Sequence, residues 1–480
     1  MQSDWTAFLP QLILALGGLA IFCAGCLWRN RFAGVLAAVA LAASLGAGLA
    51  VWLTNPGGLP SYQGLLDRSG YASFFTLLFS GITALTLLFL HPYAKARGLA
   101  GDELYGLLLF AALGMTLVAG ALHWVVFFLG LELLSLPLYV LIASRRDSPA
   151  SIEAGLKYFT LGAVASALLA FGIAVLYAFT GTMSIPESLH PAAGGGNPPG
   201  VLLGIGLILT GVGFKLSLVP FHFWTPDVYQ GAPAPVAAFL STGSKAALFA
   251  ALLRVALSAS PPLWDALAPV LWVLAALGMV VGNVTALAQS RVKRLLAYSS
   301  VAQMGYLLMA LLAVHQEGAR AVLFYLTVFV LMDLGAFGSV GALSPESEDL
   351  DRLDDCRGLG YTRPFAAATL ALCLFSLAGF PPFAGFVGKL VLFQATLKAG
   401  FVGLAAIGIV TAIVSVYVYL KVVVSLYMQP PETAPAVPGA PASARLAGAL
   451  VIILLLALGL APSALLEAAA RVIDSLRTFV

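Results

Sequence analysis

Four ionisable residues, Glu132, Lys215, Lys245 and Lys389, fall near the middle of long apolar runs. A charge at bilayer depth costs at least about 2.5–3.5 kcal/mol on insertion scales, so such groups face water, pair with one another or line an ion pathway. Lysine suits the last use. Desolvation favours the neutral amine and a nearby carboxylate favours the ammonium, so its surroundings can load and unload it, whereas arginine stays charged. Glu132 is the expected tuning partner of Lys215, acting by small changes of separation. Polar side chains that water can connect are Ser217, His222, Ser241, Thr242, Ser244, Tyr298, Ser299, Ser300 and Gln303. His222, in Pro220-Phe221-His222-Phe223-Trp224, reads either as a proton-entry relay or as an interfacial histidine beside an aromatic belt. Asp333 is a second deep carboxylate, facing a cavity or bonding a neighbouring helix. His91 reads as a helix cap, and His123 and His315 as anchors near a membrane surface.

The composition sets the elements that must hold these groups. Of 480 residues 61% are hydrophobic and 9% charged, against about 25% charged in a soluble domain. The fold class is therefore an all-α polytopic membrane protein. Apolar runs of about 20 residues predict about fourteen spans: 6–28, 33–53, 72–91, 104–121, 123–143, 156–180, 201–223, 233–257, 265–288, 295–314, 320–343, 365–397, 401–427 and 445–469. Asp4 precedes the first run without a basic flank, so the N-terminus is expected to be a membrane span rather than a cleaved signal. Basic residues concentrate in alternate connections (Arg29 and Arg31; Lys95 and Arg97; Arg145, Arg146 and Lys157; Arg291, Lys293 and Arg294; Arg352, Arg357 and Arg363; Arg445). By the positive-inside rule those connections are cytoplasmic and both termini lie on the opposite, periplasmic side. Arg254 is expected among the scattered charges of the outer side, and Lys421 in the cytoplasmic third of its span, its stem reaching the interface.

Two spans look interrupted. The seventh carries Lys215-Leu216-Ser217-Leu218-Val219-Pro220, and the twelfth carries Gly379-Phe380-Pro381-Pro382 with Gly385. Pro220, Pro381 and Pro382 remove backbone donors and obstruct the preceding turn, so half-helices joined by unwound chain are expected. Paired interrupted helices point to a transport site. Ser217-Leu218-Val219-Pro220 resembles Ser376-Leu377-Ala378-Gly379, which suggests two five-helix repeats, spans 4–8 and 9–13, inverted because five is odd. The domains are then residues 1–100, a three-helix segment; 101–260 and 261–430, the repeats; and 431–480, a C-terminal helix.

The net charge of +3 is spread over short loops and makes no nucleic-acid surface. Cys23 and Cys26 sit inside an apolar helix and read as space-filling; Cys356 and Cys373 are isolated. No residue set reads as a cofactor or metal site. The acidic stretch 346–355 reads as a solvated connection or a docking surface.

Several stretches resemble the antiporter-like membrane subunits of respiratory complex I, NADH-quinone oxidoreductase. They are Leu131-Glu132-Leu133-Leu134-Ser135-Leu136-Pro137-Leu138-Tyr139, Glu153-Ala154-Gly155-Leu156-Lys157-Tyr158-Phe159, the run from Gly213 to Tyr229, Ser244-Lys245-Ala246-Ala247, the run from Arg294 to Ser300, and the run from Phe380 to Lys389. They follow the family's order from about residue 104 to 398. Trp224-Thr225-Pro226-Asp227-Val228-Tyr229 and the lack of a long C-terminal extension are similar to the subunit N (subunit 14) branch.

The resemblance implies that Glu132 and Lys215 form the coupled pair of a first half-channel, that Lys245 passes the proton on, and that Lys389 releases it outward. It implies a bacterial inner-membrane complex with other membrane subunits, including homologous antiporter-like ones. Flavin, iron–sulfur clusters and quinone would reside in partner subunits and none in this chain. Two residues depart from the pattern: Gln303 stands where many relatives carry histidine, and Asp333 matches no family residue. The rival readings are a subunit of a multi-subunit cation/proton antiporter, and a non-transporting membrane scaffold, which has no need to bury lysines.

Overall fold

The structure, a computed structural model, describes residues 8–28, 32–54, 61–62, 64–99, 101, 103–190, 199–345, 349–430 and 440–477. Asp4, the first two positions of the first expected span, Arg29, Arg31 and Glu346 lie outside them.

Among the described residues the α-helices follow in this order: α1 (Leu9–Trp28), α2 (Ala33–Thr54), α3 (Gly70–Ala96), α4 (Glu103–Gly120), α5 (Trp124–Ile142), α6 (Pro149–Thr180), α7 (Ile185–Ser188), α8 (Pro199–Lys215), α9 (Trp224–Gly231), α10 (Ala234–Phe239), α11 (Lys245–Ser258), α12 (Pro261–Leu287), α13 (Val292–Leu311), α14 (Ala319–Leu343), α15 (Leu359–Thr362), α16 (Pro364–Ala378), α17 (Ala384–Lys398), α18 (Val402–Met428), α19 (Ala442–Leu460) and α20 (Ser463–Arg477). A two-stranded hairpin, Ser61–Tyr62 with Leu66–Asp67, precedes α3.

Among the described residues eleven helices are long and apolar enough to cross a membrane, or up to twelve if one bent pair is counted as a span. The chain is thus a multi-pass membrane protein. Fewer helices qualify than the expected fourteen for physical reasons. The breaks leave α8, α16 and α17 at 17, 15 and 15 residues, and α13 carries Lys293, Arg294, Ser299, Ser300 and Gln303 among its apolar residues. The last expected span, 445–469, is also corrected: α19 stops at Leu460 before Ala461-Pro462, and α20 is a separate amphipathic helix. It buries Ala469, Ile473 and Leu476 against α3 and α14.

Local sequence explains the long sixth helix. Ser148 caps its start, accepting from the Ser151 amide at 3.4 Å, with Pro149 in the first turn, and Gly181 ends it in the left-handed conformation at φ 71°. Small residues then set its packing. A Cβ on Gly172 would stand 2.8 Å from the Gly204 carbonyl of α8, so only glycine permits this approach. Close backbones are the means of helix association where lipid offers no hydrophobic drive.

Most of the outer helices leave one face exposed, while α14 and the run from α10 to α11 are buried almost throughout. The centre of the molecule is therefore where Lys245 and Asp333 sit. The first three helices are clamped to the rest at both ends. Arg254, expected in an outer loop, is instead buried in α11 and pairs with Asp67 at 2.6 Å; a buried guanidinium persists only with such a partner. At the other end Asp349 meets Lys293 at 2.8 Å and Arg97 at 3.4 Å, and accepts from Tyr93 at 2.7 Å. Lys421 donates to the Leu287 and Gln289 carbonyls at 2.8 and 3.2 Å, supplying positive charge to the end of α12.

Candidate functional site

Both interruptions are built alike. After α8 the Leu218 amide donates to the Gly213 carbonyl at 2.8 Å and the Ser217 amide to the Phe214 carbonyl at 3.0 Å. After α16 the Phe380 amide donates to the Phe375 carbonyl at 3.0 Å and the Gly379 amide to the Ser376 carbonyl at 3.0 Å. Each is a Schellman ending, which requires a left-handed residue. Gly379 fills that position at φ 89° and Ser217 at φ 61°. Cis peptides follow at Val219–Pro220 and Pro381–Pro382. The structural counterpart of Ser217 is therefore Gly379, not Ser376. The sequence match paired the two serines by type, whereas the backbone pairs the two left-handed positions.

Lys215 ends α8 and is buried. Its Nζ donates to Ser135 Oγ at 2.6 Å and Tyr139 Oη at 3.1 Å, both on α5. Glu132 lies on the same helix one turn from Ser135 and accepts from Ser166 Oγ of α6 at 2.5 Å. No ion pair joins Glu132 to Lys215 among the described residues; Lys215 instead bonds Ser135 and Tyr139, on the face of α5 that carries Glu132. The Lys215 ammonium also stands 5.4 and 5.7 Å from the ring centres of Tyr139 and Tyr158, near enough for a cation–π contribution.

Lys245 opens α11 after a π-helical stretch, Leu240–Ser244, a geometry frequent at functional sites. Its Nζ donates to Ser300 Oγ at 2.5 Å, and Ser300 meets Ser241 at 2.9 Å. Ser241 in turn donates to Asp333 Oδ2. The open question over Asp333 is thereby answered in geometry: two serines link it to Lys245, and all four side chains are buried. Thr242 and Ser244 take no part, since they return to the Ala238 and Leu240 carbonyls of their own helix.

Further along α13, Ser299 and Gln303 both meet the Tyr419 hydroxyl, at 2.5 and 3.1 Å, and Tyr325 donates to Gln303 Oε1 at 2.5 Å. One turn on, Tyr306 bonds Thr411 at 3.0 Å and its ring centre lies 5.6 Å from Lys389 Nζ. Lys389 donates to the Leu377 and Ala378 carbonyls at 2.7 and 3.2 Å, the last carbonyls of α16, where positive charge is favoured. One face of α13 thus runs from Lys245 past Gln303 toward Lys389.

Of the expected secondary residues, Tyr298 and His222 share only a ring contact at 6.4 Å, and His222 stacks on Phe223. Pro220, Pro381 and Pro382 lie in the breaks as expected. The sequence reading missed Ser135, Tyr139, Ser166, Tyr306, Tyr325 and Tyr419. Helical spacing held a signal for some of them: Glu132, Ser135 and Tyr139 fall on one face of α5, as do Ser299, Gln303 and Tyr306 on α13.

Residues 121–415 match the family described as NADH:quinone oxidoreductase/Mrp antiporter, TM. NADH-quinone oxidoreductase subunit N 1 of Solidesulfovibrio magneticus is 51% identical over 474 residues, covering 98% of this chain and 99% of that protein. A chain in respiratory complex I from Thermus thermophilus with bound aureothin is 37% identical, with a TM-score of 0.80 and coverage of 96% of this chain and 99% of that one. A chain of the Mrp complex from Dietzia sp. DQ12-45-1b superposes with a TM-score of 0.86 over 99% of this chain and 98% of that one. At 22% identity that likeness concerns the fold alone. Full-length identity of this order, together with the family match over most of the chain, places the protein in the NADH-quinone oxidoreductase subunit N family.

Proposed function

We propose that the chain moves protons across the bacterial inner membrane along Glu132, Lys215, Lys245 and Lys389, as a subunit of NADH:quinone oxidoreductase. The observation that carries this reading is the unbroken Lys245–Ser300–Ser241–Asp333 link at the molecule's centre, flanked by one buried lysine at each helix break. A carboxylate drawn toward a buried amine stabilises its protonated form, and its withdrawal lets the proton go. Glu132 serves Lys215 in this way from α5, and Asp333 serves Lys245 through the serines. Gln303, Ser299 and the tyrosines extend the route toward Lys389, which releases the proton to the outer side. His222 and Tyr298 border the route.

Electron transfer belongs to partner subunits holding flavin, iron–sulfur clusters and quinone. Moving one charge against 100 mV requires about 2.3 kcal/mol, delivered to this chain through neighbouring membrane subunits, including homologous antiporter-like ones. The fourteen-span topology, with two inverted repeats over 101–260 and 261–430 and both termini outside, is part of the same proposal. It draws support from the twin breaks and from two isolated strand bridges, His123 with Ser184 and Arg291 with Arg352, spaced identically in the two halves.

The test is proton uptake coupled to NADH oxidation in proteoliposomes containing the whole complex. Glu132→Gln, assembled at wild-type level, is expected to lose uptake; unchanged uptake removes Glu132 from the route. Sodium-dependent transport without NADH would favour the cation/proton antiporter reading, which the shared fold keeps as the alternative.

A further inference from the structure

The hydrogens of the central link fix its direction. Ser241 gives its hydroxyl hydrogen to Asp333, so the bond between the serines is donated by Ser300, which itself accepts from Lys245. Every donor thus points from the amine toward the acid. A proton that passes from Lys245 to Asp333 moves each hydrogen one place along: Lys245 to Ser300, Ser300 to Ser241, Ser241 to Asp333. An ammonium and a carboxylate become a neutral amine and a neutral acid, and both serine hydroxyls are left pointing back toward Lys245. Once Asp333 has passed the proton on and Lys245 has been reloaded, both hydroxyls must turn before a second proton can follow. A buried hydroxyl that turns away from its acceptor is penalised unless another acceptor receives it.

Tyr229 of α9 is placed to be that acceptor. It is fully buried, and its hydroxyl faces those of Ser241 and Ser300 without closing a hydrogen bond to either. It has no other protein partner among the described residues, although buried polar groups are ordinarily paired. The ring is firmly held. Trp224 meets it edge-on at 6.1 Å, and Phe337, one turn along α14 from Asp333, at 5.7 Å. The helix α9 rests directly on α6, since a Cβ on Gly231 would overlap the Ala150 carbonyl. The same ring lies 5.4 Å from Lys245 Nζ, where it favours the ammonium.

We infer that Tyr229 resets this link: its hydroxyl oxygen accepts the hydrogen of Ser241 or Ser300 as each turns, so that the link points again from Lys245 to Asp333. Tyr229 keeps its own proton throughout, so only hydrogen bonds change at this residue and no charge appears on the ring. It is a positioning residue, and the proton itself travels through the serines. The inference rests on the proton route proposed above and concerns its central step.

The experiment uses the whole complex in proteoliposomes. Tyr229→Phe keeps the ring, and with it the contact to Lys245, and removes only the hydroxyl. At wild-type assembly its NADH-driven proton uptake is expected to fall roughly fivefold, the worth of one neutral hydrogen bond. A second readout is one that a packing role would not move. Infrared difference spectra between rest and NADH-driven turnover are recorded on complex carrying isotope-labelled tyrosine. A tyrosine C–O band is expected to shift during turnover and to be missing from the difference spectra of both Tyr229→Phe and Ser241→Ala. If Tyr229→Phe does not assemble, loss or retention of the band in Ser241→Ala decides the matter by itself. Wild-type uptake in assembled Tyr229→Phe, or turnover spectra without a tyrosine band that depends on Ser241, overturns the reset, and the route stands provided Lys245→Ala has lost uptake. Wild-type uptake in Lys245→Ala overturns the route and the reset together.

Discussion

Asp333 changes how the central lysine is understood. Its Oδ2 is bound by Ser241, while Oδ1 has no protein partner among the described residues. A buried carboxylate held on one side persists only where charge or water serves the other. Asp333→Asn keeps the shape and removes the charge. Coupled proton uptake by the complex is expected to fall by roughly tenfold, the loss of one charge-assisted hydrogen bond, with Asp333→Glu recovering part of it. Uptake in Asp333→Asn equal to wild type would show that Lys245 works without this acid. The two deep acids are also held differently: Glu132 stands on α5 and accepts from a serine of the next helix, α6, whereas Asp333 stands on α14 and accepts from Ser241, in the π-helical stretch before α11.

At the scale of elements, the breaks decide where the lysines end up. Lys215 reaches α5 because α8 stops beneath it, and Lys389 reaches the carbonyl end of α16 because α17 folds back over the break. The fold-back depends on close contact: a Cβ on Gly385 would overlap the Ser376 carbonyl. Gly385→Ala is therefore expected to prevent assembly, read as loss of the subunit from the purified complex. At the other break Ser217 holds a left-handed conformation that costs a side chain about 1–2 kcal/mol. Ser217→Gly is expected to assemble at least as well as wild type, and Ser217→Val, β-branched, to lower the thermal midpoint of the complex. The reverse order of midpoints would mean that the Ser217 hydroxyl, not its backbone, holds the break.

For the whole molecule, two buried ion pairs, Asp67 with Arg254 and Asp349 with Arg97, tie the N-terminal segment to the rest of the chain. Burial alone would raise the Asp349 carboxyl, but Lys293, then Arg97 and the Tyr93 hydroxyl, hold it below the ordinary carboxylate range. A depressed folded value gives stability that is present above the unfolded value, about 3.9, and is lost as pH falls through the folded one. The clamp is thus intact at neutral pH and opens only in strong acid. Asp349→Asn strands Lys293 and Arg97, and breaking such a buried pair costs about 3–5 kcal/mol. The expected readout is dissociation of this subunit at lower detergent or temperature than wild type, with the difference vanishing once acid protonates Asp349 in the wild type. A difference that persists in acid would assign the effect to packing.

Much of this protein was legible along the chain. Membrane character, many of the long apolar helices, both interruptions and the buried lysines follow from composition, apolar run length and proline, all properties of adjacent residues. Partnership was not legible. Asp67 with Arg254, Asp349 with Lys293, and Asp333 with Lys245 join residues far apart in sequence, and nothing local marks one acid as belonging to one base. The same holds for Tyr139, an ordinary aromatic in α5 until α8 brings Lys215 to its hydroxyl. Sequence determined that Lys215, Lys245 and Lys389 are buried, because burial is set by the solvent each segment enters, though it did not reveal the burial of Arg254. The tertiary structure decided which groups touch, because a hydrogen bond is made across helices within about 3 Å, and that distance is fixed only when the helices pack.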